Sequence, residues 1–414
     1  MAKKHLLIGS GAAGLSALRE IRSISGEDRI KMVTMENTLP YSPTALPYLL
    51  AGKIDESRIW TVNEDFFRAT DSELAMGKRL IAIAPDRKEA IFDGGEREIY
   101  DTLLIATGSA PVLPAIEGID TIPVLGFHTL GDYRELVARL QAGSEVLIYG
   151  GGLVAMGLAS NLTKRGLKVK VVVRSRILRR YFDPVAGGLI SGVFAAQGVE
   201  IITASVMRAG RAGEKVELLL AGGRTVQGDI LVNCLGTVPR ISFLSGSSIA
   251  AVEDGVLVDE RMKTSAEAIY AAGDMAVAKD FFSRQEGPNA ILPGAVEQGR
   301  IAGANMAGVA RDYSGWISMN VFHFFGKGAA AIGLSDEAKG VEVLQAGSEK
   351  TGCYTKLHCR DGCLVGAQFV NIDVDPGVVL YLIKNKIPLD KVKTLLLEKP
   401  GVISRALMVK SERV

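Results

Sequence analysis

The chain has 414 residues, of which 48% are hydrophobic and 23% charged, with a formal net charge of +2. That length suffices for two or three domains with ordinary globular cores, and the near-neutral charge gives no reason to expect nucleic acid or anionic membrane as a partner. The four cysteines, Cys234, Cys353, Cys359 and Cys363, are too few for a disulfide scaffold and form no CxxC pair, which argues against structural zinc or an iron–sulfur cluster in this chain.

The basic start, Met1 to His5, runs into only a short apolar stretch, so no signal peptide is expected. No apolar run reaches the ~18 residues of a membrane span, and the reading is cytoplasmic. His5 to Ile8 is a predicted strand running into Gly9-Ser10-Gly11-Ala12-Ala13-Gly14, which opens a small-residue helix. The first glycine of such a loop makes the tight turn, the second admits phosphates to the backbone, and the third lets helix and strand pack. Lys31 to Met35 is the next predicted strand, and Glu36 with Asn37 follows it, about 20 residues beyond the loop, where a carboxylate bonds the ribose hydroxyls of an adenosine. The prolines of Leu39-Pro40-Tyr41-Ser42-Pro43-Thr44-Ala45-Leu46-Pro47-Tyr48 bar a central strand and predict a rigid loop before a short helix from Tyr48 to Gly52. Arg79 to Glu98 reads as a β-meander turning at Asp93-Gly94-Gly95, and Tyr100 to Ile105 as a buried strand ending in Ala106-Thr107-Gly108.

A second strand–loop–helix follows. Val146 to Tyr149 runs into Gly150-Gly151-Gly152-Leu153-Val154-Ala155, with alanine in the third glycine position. Two such loops, each in the right local context, imply two bound dinucleotides. Lys168 to Val173 is the next strand, but it ends at Arg174-Ser175-Arg176 and no acidic residue follows. Arginine suits a 2′-phosphate, although Arg174 and Arg176, like Arg179 and Arg180, also suit a solvated basic face. A hairpin is expected at Ala221-Gly222-Gly223, then a strand Leu231 to Pro239 containing Gly236. Another strand ends in Gly273-Asp274, and a closely packed helix is expected from Gly294 to Gly308. From about Tyr313 the character changes, with Phe322, Phe324 and Phe325 clustered around His323, which is expected to be a packed, hydrogen-bonded core residue.

Alternating strands and helices predict an α/β fold. It comprises two Rossmann-like dinucleotide-binding domains, one inserted in the other, and a C-terminal α+β interface domain. The expected boundaries are 1–112 with 243–312 for the first, 113–242 for the second and 313–414 for the third.

These motifs, in this order, resemble the flavin-dependent pyridine nucleotide–disulfide oxidoreductase superfamily over essentially the whole chain. The resemblance implies an FAD site at Gly9, Gly11, Ala12, Ala13, Gly14, Glu36, Asn37, Pro43, Thr44, Ala106, Thr107, Gly108, Gly273 and Asp274. In such enzymes the aspartate of the Gly-Asp motif bonds the ribityl and pyrophosphate end of the flavin. The resemblance also implies an NAD(P) site at Gly150, Gly152, Leu153, Val154 and Arg174, closed by the Gly-x-x-Pro element that begins at Gly236. Its members that reduce disulfides carry a Cys-x4-Cys pair, absent here. A related branch holds one redox cysteine in a Tyr-Ser-x-Cys loop, where this chain has Thr44. A hydroxyl forms no sulfenic acid or mixed disulfide, so the thiol relay is missing. Thr44 has two readings, a cap for the next helix or a hydroxyl contact near the flavin. Gly157 replaces a glutamate that many relatives place near the nicotinamide.

A flavin accepts a hydride and releases electrons singly. The expected function is therefore transfer between NAD(P)(H) and an iron–sulfur partner protein. The Tyr-Ser-Pro-Thr loop is similar to that of FAD subunits of multi-subunit oxidoreductases of the phenylglyoxylate dehydrogenase and tungsten-dependent aldehyde oxidoreductase type. No residue is singled out as a proton donor or nucleophile, and no metal site is expected. NAD is the preferred nicotinamide cofactor, with NADP open. A stand-alone oxidase or thiol-type reductase, and a flavin-bound module that senses NADH, stay open as alternatives.

Overall fold

A computed structural model of the chain describes residues 2–335, 339–348 and 350–411. The chain forms two compact units, the first comprising Met1–Ala45, Ile54–Ala110 and Thr237–Ile317, the second Leu46–Lys53, Pro111–Gly236 and Ser318–Val414.

The first unit is built on a five-stranded parallel sheet. Its strands lie in the order Ile269–Ala271, Thr102–Ile105, Lys4–Ile8, Arg29–Val33 and Ser72–Ala75. Leu6 pairs with Lys31 on one side and Leu103 on the other, and the Leu-Leu-Ile runs of Lys4–Ile8 and Thr102–Ile105 are buried, as a sheet covered on both faces requires. Arg29–Val33 stops two residues short of the predicted end, which puts Glu36 in the bend after the strand. Helices Ala12–Ile24 and Leu292–Met306 pack at backbone distance. A Cβ on Gly299 would stand 2.2 Å from the Ala13 carbonyl oxygen, and one on Gly303 2.6 Å from that of Ala17. This close approach is what the Ala/Gly-rich sequence of the later helix encodes. The predicted meander is a three-stranded antiparallel sheet, Leu80–Ala84, Glu89–Phe92 and Arg97–Ile99, and its turn places Gly94 at φ 83°. Within the central strand, His5 is fully buried. Its Nδ1 lies 2.6 Å from Thr102 Oγ1 and its Nε2 3.1 Å from Asp28 Oδ2.

The second unit repeats the plan. Its five-stranded parallel sheet has the order Glu200–Thr203, Lys168–Val173, Glu145–Tyr149, Ile230–Asn233 and Val124–Leu125. An antiparallel sheet follows, Val206–Ala212, Lys215–Leu220 and Thr225–Gly228, turning at the predicted Gly-Gly. The single strand expected from Leu231 to Pro239 is two, Ile230–Asn233 and Thr237–Pro239, broken at Gly236 with φ 111°. The C-terminal segment adds a five-stranded antiparallel sheet from Met319–Phe324 to Cys363–Val370 and three short helices within Pro376–Ser411.

Asp183 ties the second unit's helix Pro184–Ala196 to that sheet. Asp183 caps the helix by accepting from the Ala186 N–H at 2.9 Å, while its other oxygen accepts from Tyr354 Oη at 2.7 Å and Lys356 Nζ at 3.1 Å. Burial alone would raise this carboxyl, but these hydrogen bonds and the ammonium hold it below the usual range.

His323 departs from expectation. It is exposed, because Met319–Phe324 is a strand and its side chains alternate between faces. Phe322 and Phe324 point inward, with ring centroids 4.7 Å apart, and Phe324 stacks on Phe194 at 5.5 Å.

Candidate dinucleotide sites

Both glycine loops have the same local construction, each within its own unit. Gly9 has φ 113°, and a Cβ there would stand 2.0 Å from the Ala106 carbonyl oxygen. Gly150 has φ 130°, and its Cβ would stand 2.2 Å from the Cys234 carbonyl oxygen. The first glycine of each loop is thus required by the end of the neighbouring parallel strand. The second glycine of each loop faces open space, since a Cβ on Gly11 or Gly152 meets no protein atom within 4 Å.

Each of these glycines is the N-cap of its helix, Ala12–Ile24 or Leu153–Lys164. Neither helix has a capping side chain or an acidic residue in its first turn. Three other helices, Leu130–Arg139, Pro184–Ala196 and Pro376–Lys384, close their N-termini with Thr129, Asp183 and Asp375. The loop helices therefore keep their first N–H groups and the positive end of the helix dipole for an anion, with no Cβ in its path. This is the cradle that a dinucleotide pyrophosphate requires.

The third positions differ. A Cβ on Gly14 would stand 2.0 Å from the Gly9 carbonyl oxygen, whereas Ala155 is accommodated with full burial.

In the first unit, two of the expected FAD segments come against the loop, Ala106 at Gly9 and Gly273 at Ala13. Ala12 and Ala13 begin the helix. Gly273, at φ 89°, comes so close to Ala13 that a Cβ on it would lie 3.3 Å from the Ala13 Cβ, which brings Asp274 beside the loop. Asp274 Oδ2 accepts a hydrogen bond from Ser109 Oγ at 2.9 Å. Thr107 Oγ1 donates to the Arg240 carbonyl at 2.9 Å, and Gly108, at φ 66°, accepts from the Arg240 N–H at 3.0 Å. Glu36 is half-buried, its carboxylate without a hydrogen bond among the described residues, and Asn37 beside it is exposed. Pro43 and Thr44 are exposed in a short turn, Pro43–Ala45, where Thr44 Oγ1 lies 2.8 Å from Ser42 Oγ.

Sequence reasoning missed Gln298. It is 1% exposed, and its Oε1 accepts the Gly273 N–H at 2.8 Å, fixing the Gly-Asp turn from the helix behind it. A polar amide midway along an otherwise Ala/Gly-rich helix is the signal that marks it.

In the second unit, Leu153 and Val154 form the first turn and Val154 is 52% exposed. Gly236 accepts from the Val112 N–H at 2.9 Å, and Asn233 Nδ2 donates to the Val112 carbonyl at 2.6 Å. The segment after Lys168–Val173 lies on the glycine loop: the Leu178 N–H donates to the Gly151 carbonyl at 2.7 Å. Arg174 is exposed at the start of that segment.

All four cysteines belong to the second unit. Burial pushes the Cys234 thiol up to about 12 and that of Cys359 up to about 11, so neither supplies a thiolate near neutral pH. Among the described residues no cluster of three His, Cys, Asp or Glu side chains is placed to hold a metal, and no helix is long and apolar enough to cross a membrane.

The profile of the pyridine nucleotide-disulphide oxidoreductase family matches residues 3–306. The chain is 37% identical to the NADH-dependent phenylglyoxylate dehydrogenase subunit epsilon of Aromatoleum evansii, over 99% of this chain and 98% of that protein. Among solved structures, a putidaredoxin reductase in covalent complex with putidaredoxin matches with TM-score 0.89 and 22% identity, covering 100% of both chains. An engineered water-forming NADPH oxidase bound to NADPH, made from the Lactobacillus brevis NADH oxidase, matches with TM-score 0.87 and 20% identity over 99% of each chain. Two glycine cradles of matched construction and this family match lead to one conclusion: the chain belongs to the pyridine nucleotide-disulphide oxidoreductase family and is an FAD-dependent NAD(P)H oxidoreductase.

Proposed function

We propose that the protein is the FAD-carrying electron-transfer subunit of a larger complex, passing electrons between NAD(P)(H) and an iron–sulfur partner protein without a redox-active cysteine. One observation carries this reading: the unit with the FAD cradle contains no cysteine at all, and Thr44 stands where a thiol relay would need sulfur. FAD supplies the exchange between a two-electron hydride and single electrons. The similarity to a dehydrogenase subunit, and to a reductase in complex with a protein partner, supports the same reading. The four free thiols suit a reducing compartment, and we place the protein in the cytoplasm.

In this assignment Gly9, Gly11, Ala12, Ala13 and Gly14 hold the FAD pyrophosphate on backbone N–H groups. Glu36 accepts from the adenosine ribose, with Asn37 beside it. Asp274, oriented by Ser109 and by the turn that Gln298 fixes, takes the ribityl end. Ala106, Thr107 and Gly108 form the floor next to the loop, and Pro43 and Thr44 border the flavin. Gly150, Gly152, Leu153 and Val154 hold the nicotinamide dinucleotide's pyrophosphate, with Arg174 at the adenosine end and Gly236 closing the site.

The NADH-dependent subunit epsilon and the engineered NADPH oxidase differ in nicotinamide preference. In the engineered NADPH oxidase a glycine became alanine; 18 residues on, three consecutive residues became alanine, arginine and serine; and five residues later a proline became arginine. This chain has Ala155, Val173, Arg174, Ser175 and Arg180 at the same spacing.

The test is purification of the full chain and assay with an iron–sulfur acceptor protein. The protein should be yellow, reduce that acceptor from NAD(P)H, and keep its rate after alkylation of its thiols. Loss of activity on alkylation would overturn the reading, as would folded protein that carries no flavin.

A further inference from the structure

We propose that the nicotinamide site selects NADP(H), with Arg174 and Ser175 taking the adenosine 2′-phosphate and Arg180 supplying a second positive charge. The proposal rests on the assignment of the Gly150–Ala155 loop to the nicotinamide dinucleotide, and it goes beyond that assignment to specificity.

The two halves of the chain provide an internal comparison. After the second strand of the first parallel sheet comes Glu36, whose carboxylate is an acceptor with no partner among the described residues and the group that a ribose diol requires. At the corresponding place in the second unit, after Lys168–Val173, come Arg174 and Ser175. A guanidinium has donors and no acceptor. It leaves the diol's two hydroxyl donors unanswered, but it matches a phosphate with paired N–H bonds and opposite charge.

The local geometry puts these residues next to the bound dinucleotide. Leu178, at φ 54°, donates its N–H to the Gly151 carbonyl. A Cβ on Gly151 would stand 2.7 Å from Val173 Cγ2 and 3.3 Å from Ile177 Cα. The turn from Arg174 to Leu178 is therefore laid against the loop that cradles the pyrophosphate. Arg174 comes near enough to Tyr149, at the end of the central strand, to draw its phenol down against the larger upward push of burial.

The charge there is uncompensated. Residues 174–182 contain four arginines and no carboxylate. Asp183, the next acid along the chain, is occupied by the Ala186 N–H, Tyr354 and Lys356. Arg174 and Arg180 are exposed and make no ion pair among the described residues. Arg176 plays a different part. Its Nη2 reaches the Arg179 carbonyl at 3.4 Å, and its Nη1 is buried 3.1 Å from the place a Cβ on Gly187 would take. It packs under the turn. A 2′-phosphate on the outer side would be the anion this segment lacks.

The decisive experiment is calorimetric binding to the flavin-loaded full chain, with adenosine 2′,5′-bisphosphate and 5′-AMP as the probes. The bisphosphate should bind about tenfold tighter or more, with the advantage shrinking as salt is raised. Arg174→Asp should remove that advantage and leave 5′-AMP binding at least as strong, while flavin content and melting temperature, unaffected by an exposed substitution, report intact folding. The ratio of kcat/KM for NADPH over NADH should move in the same direction. Equal binding of the two probes, or preference for 5′-AMP, overturns the proposal and leaves the site assignment standing. Failure of both probes to bind overturns the assignment and the proposal with it.

Discussion

Gly11→Val separates the cost of losing a ligand from the cost of damaging a fold. Gly11 has φ −73° and ψ −169°, ordinary extended backbone, and a Cβ there meets no protein atom within 4 Å. Valine therefore brings neither backbone strain nor a clash with the chain itself. In the proposed assignment, what it obstructs is the approach of the FAD pyrophosphate to the N–H groups at the start of helix Ala12–Ile24. Losing two or three charge-assisted hydrogen bonds, at about 1.5–3 kcal/mol each, weakens binding by about two to six orders of magnitude. Flavin at a hundredfold excess over its Kd contributes about 2.7 kcal/mol to stability, so the first unit should melt roughly 5–10 °C lower. Absorbance of the purified variant and its melting curve with and without added FAD measure both effects. Gly14→Ala is the control, since its Cβ would stand 2.0 Å from the Gly9 carbonyl oxygen and strain the loop whether or not flavin is present. The apo forms should then differ, with G11V melting like flavin-stripped wild type and G14A below it. A yellow G11V protein with an unshifted melt would refute the assignment of this loop to FAD.

The parts of the site that are legible in the sequence are those where one residue type answers one local demand. Gly9 and Gly150 meet a neighbouring carbonyl, Gly11 and Gly152 leave room, and Gly94 turns a hairpin; in each case short-range backbone geometry decides. What the sequence hides depends on distances between segments far apart in the chain. Ala155 reads as a weakened glycine position, yet it is fully buried without displacing its neighbours, while Gly14 tolerates no Cβ at all. The difference lies in how closely each helix approaches its own loop. Gln298 and Ser109 are hidden for the same reason, because each acts on a Gly-Asp turn that only the fold brings to it. His323 misleads through composition: three phenylalanines nearby suggest a core, but strand alternation sends Phe322 and Phe324 inward and the imidazole outward.

Substitutions at three further positions test the packing of the first unit around its glycine loop. Gly299→Ala places a methyl 2.2 Å from the Ala13 carbonyl oxygen and should cost about 1–3 kcal/mol in chemical denaturation, with flavin lost earlier in the titration than in wild type; an unchanged midpoint would contradict the close packing of the two helices. Gln298→Ala leaves the buried Gly273 N–H without its acceptor, costing about 1–3 kcal/mol, and should lower flavin affinity while Gln298→Glu restores part of it; equal affinity in all three proteins would remove Gln298 from the site. His5→Gln reports on pH. Burial, the largest influence, draws the His5 imidazole below its usual 6.5, and the hydrogen bond and charge of Asp28 pull it the other way without overcoming that. Burial raises the Asp28 carboxyl, but hydrogen bonds from Lys3, His5 and Ser25 outweigh it and hold it below 3.8. For both groups the unfolded chain takes up protons more readily than the folded one, so each destabilises the fold on acidification. The histidine acts first: its contribution is complete above pH 6.5 and is lost as the pH falls below that value, while the carboxyl's loss comes only below 3.8. Wild type should therefore lose more stability than His5→Gln between pH 7 and pH 5, whatever the starting difference between them. Parallel urea midpoints for the two proteins across that range would show that the buried imidazole does not set the acid sensitivity of this unit.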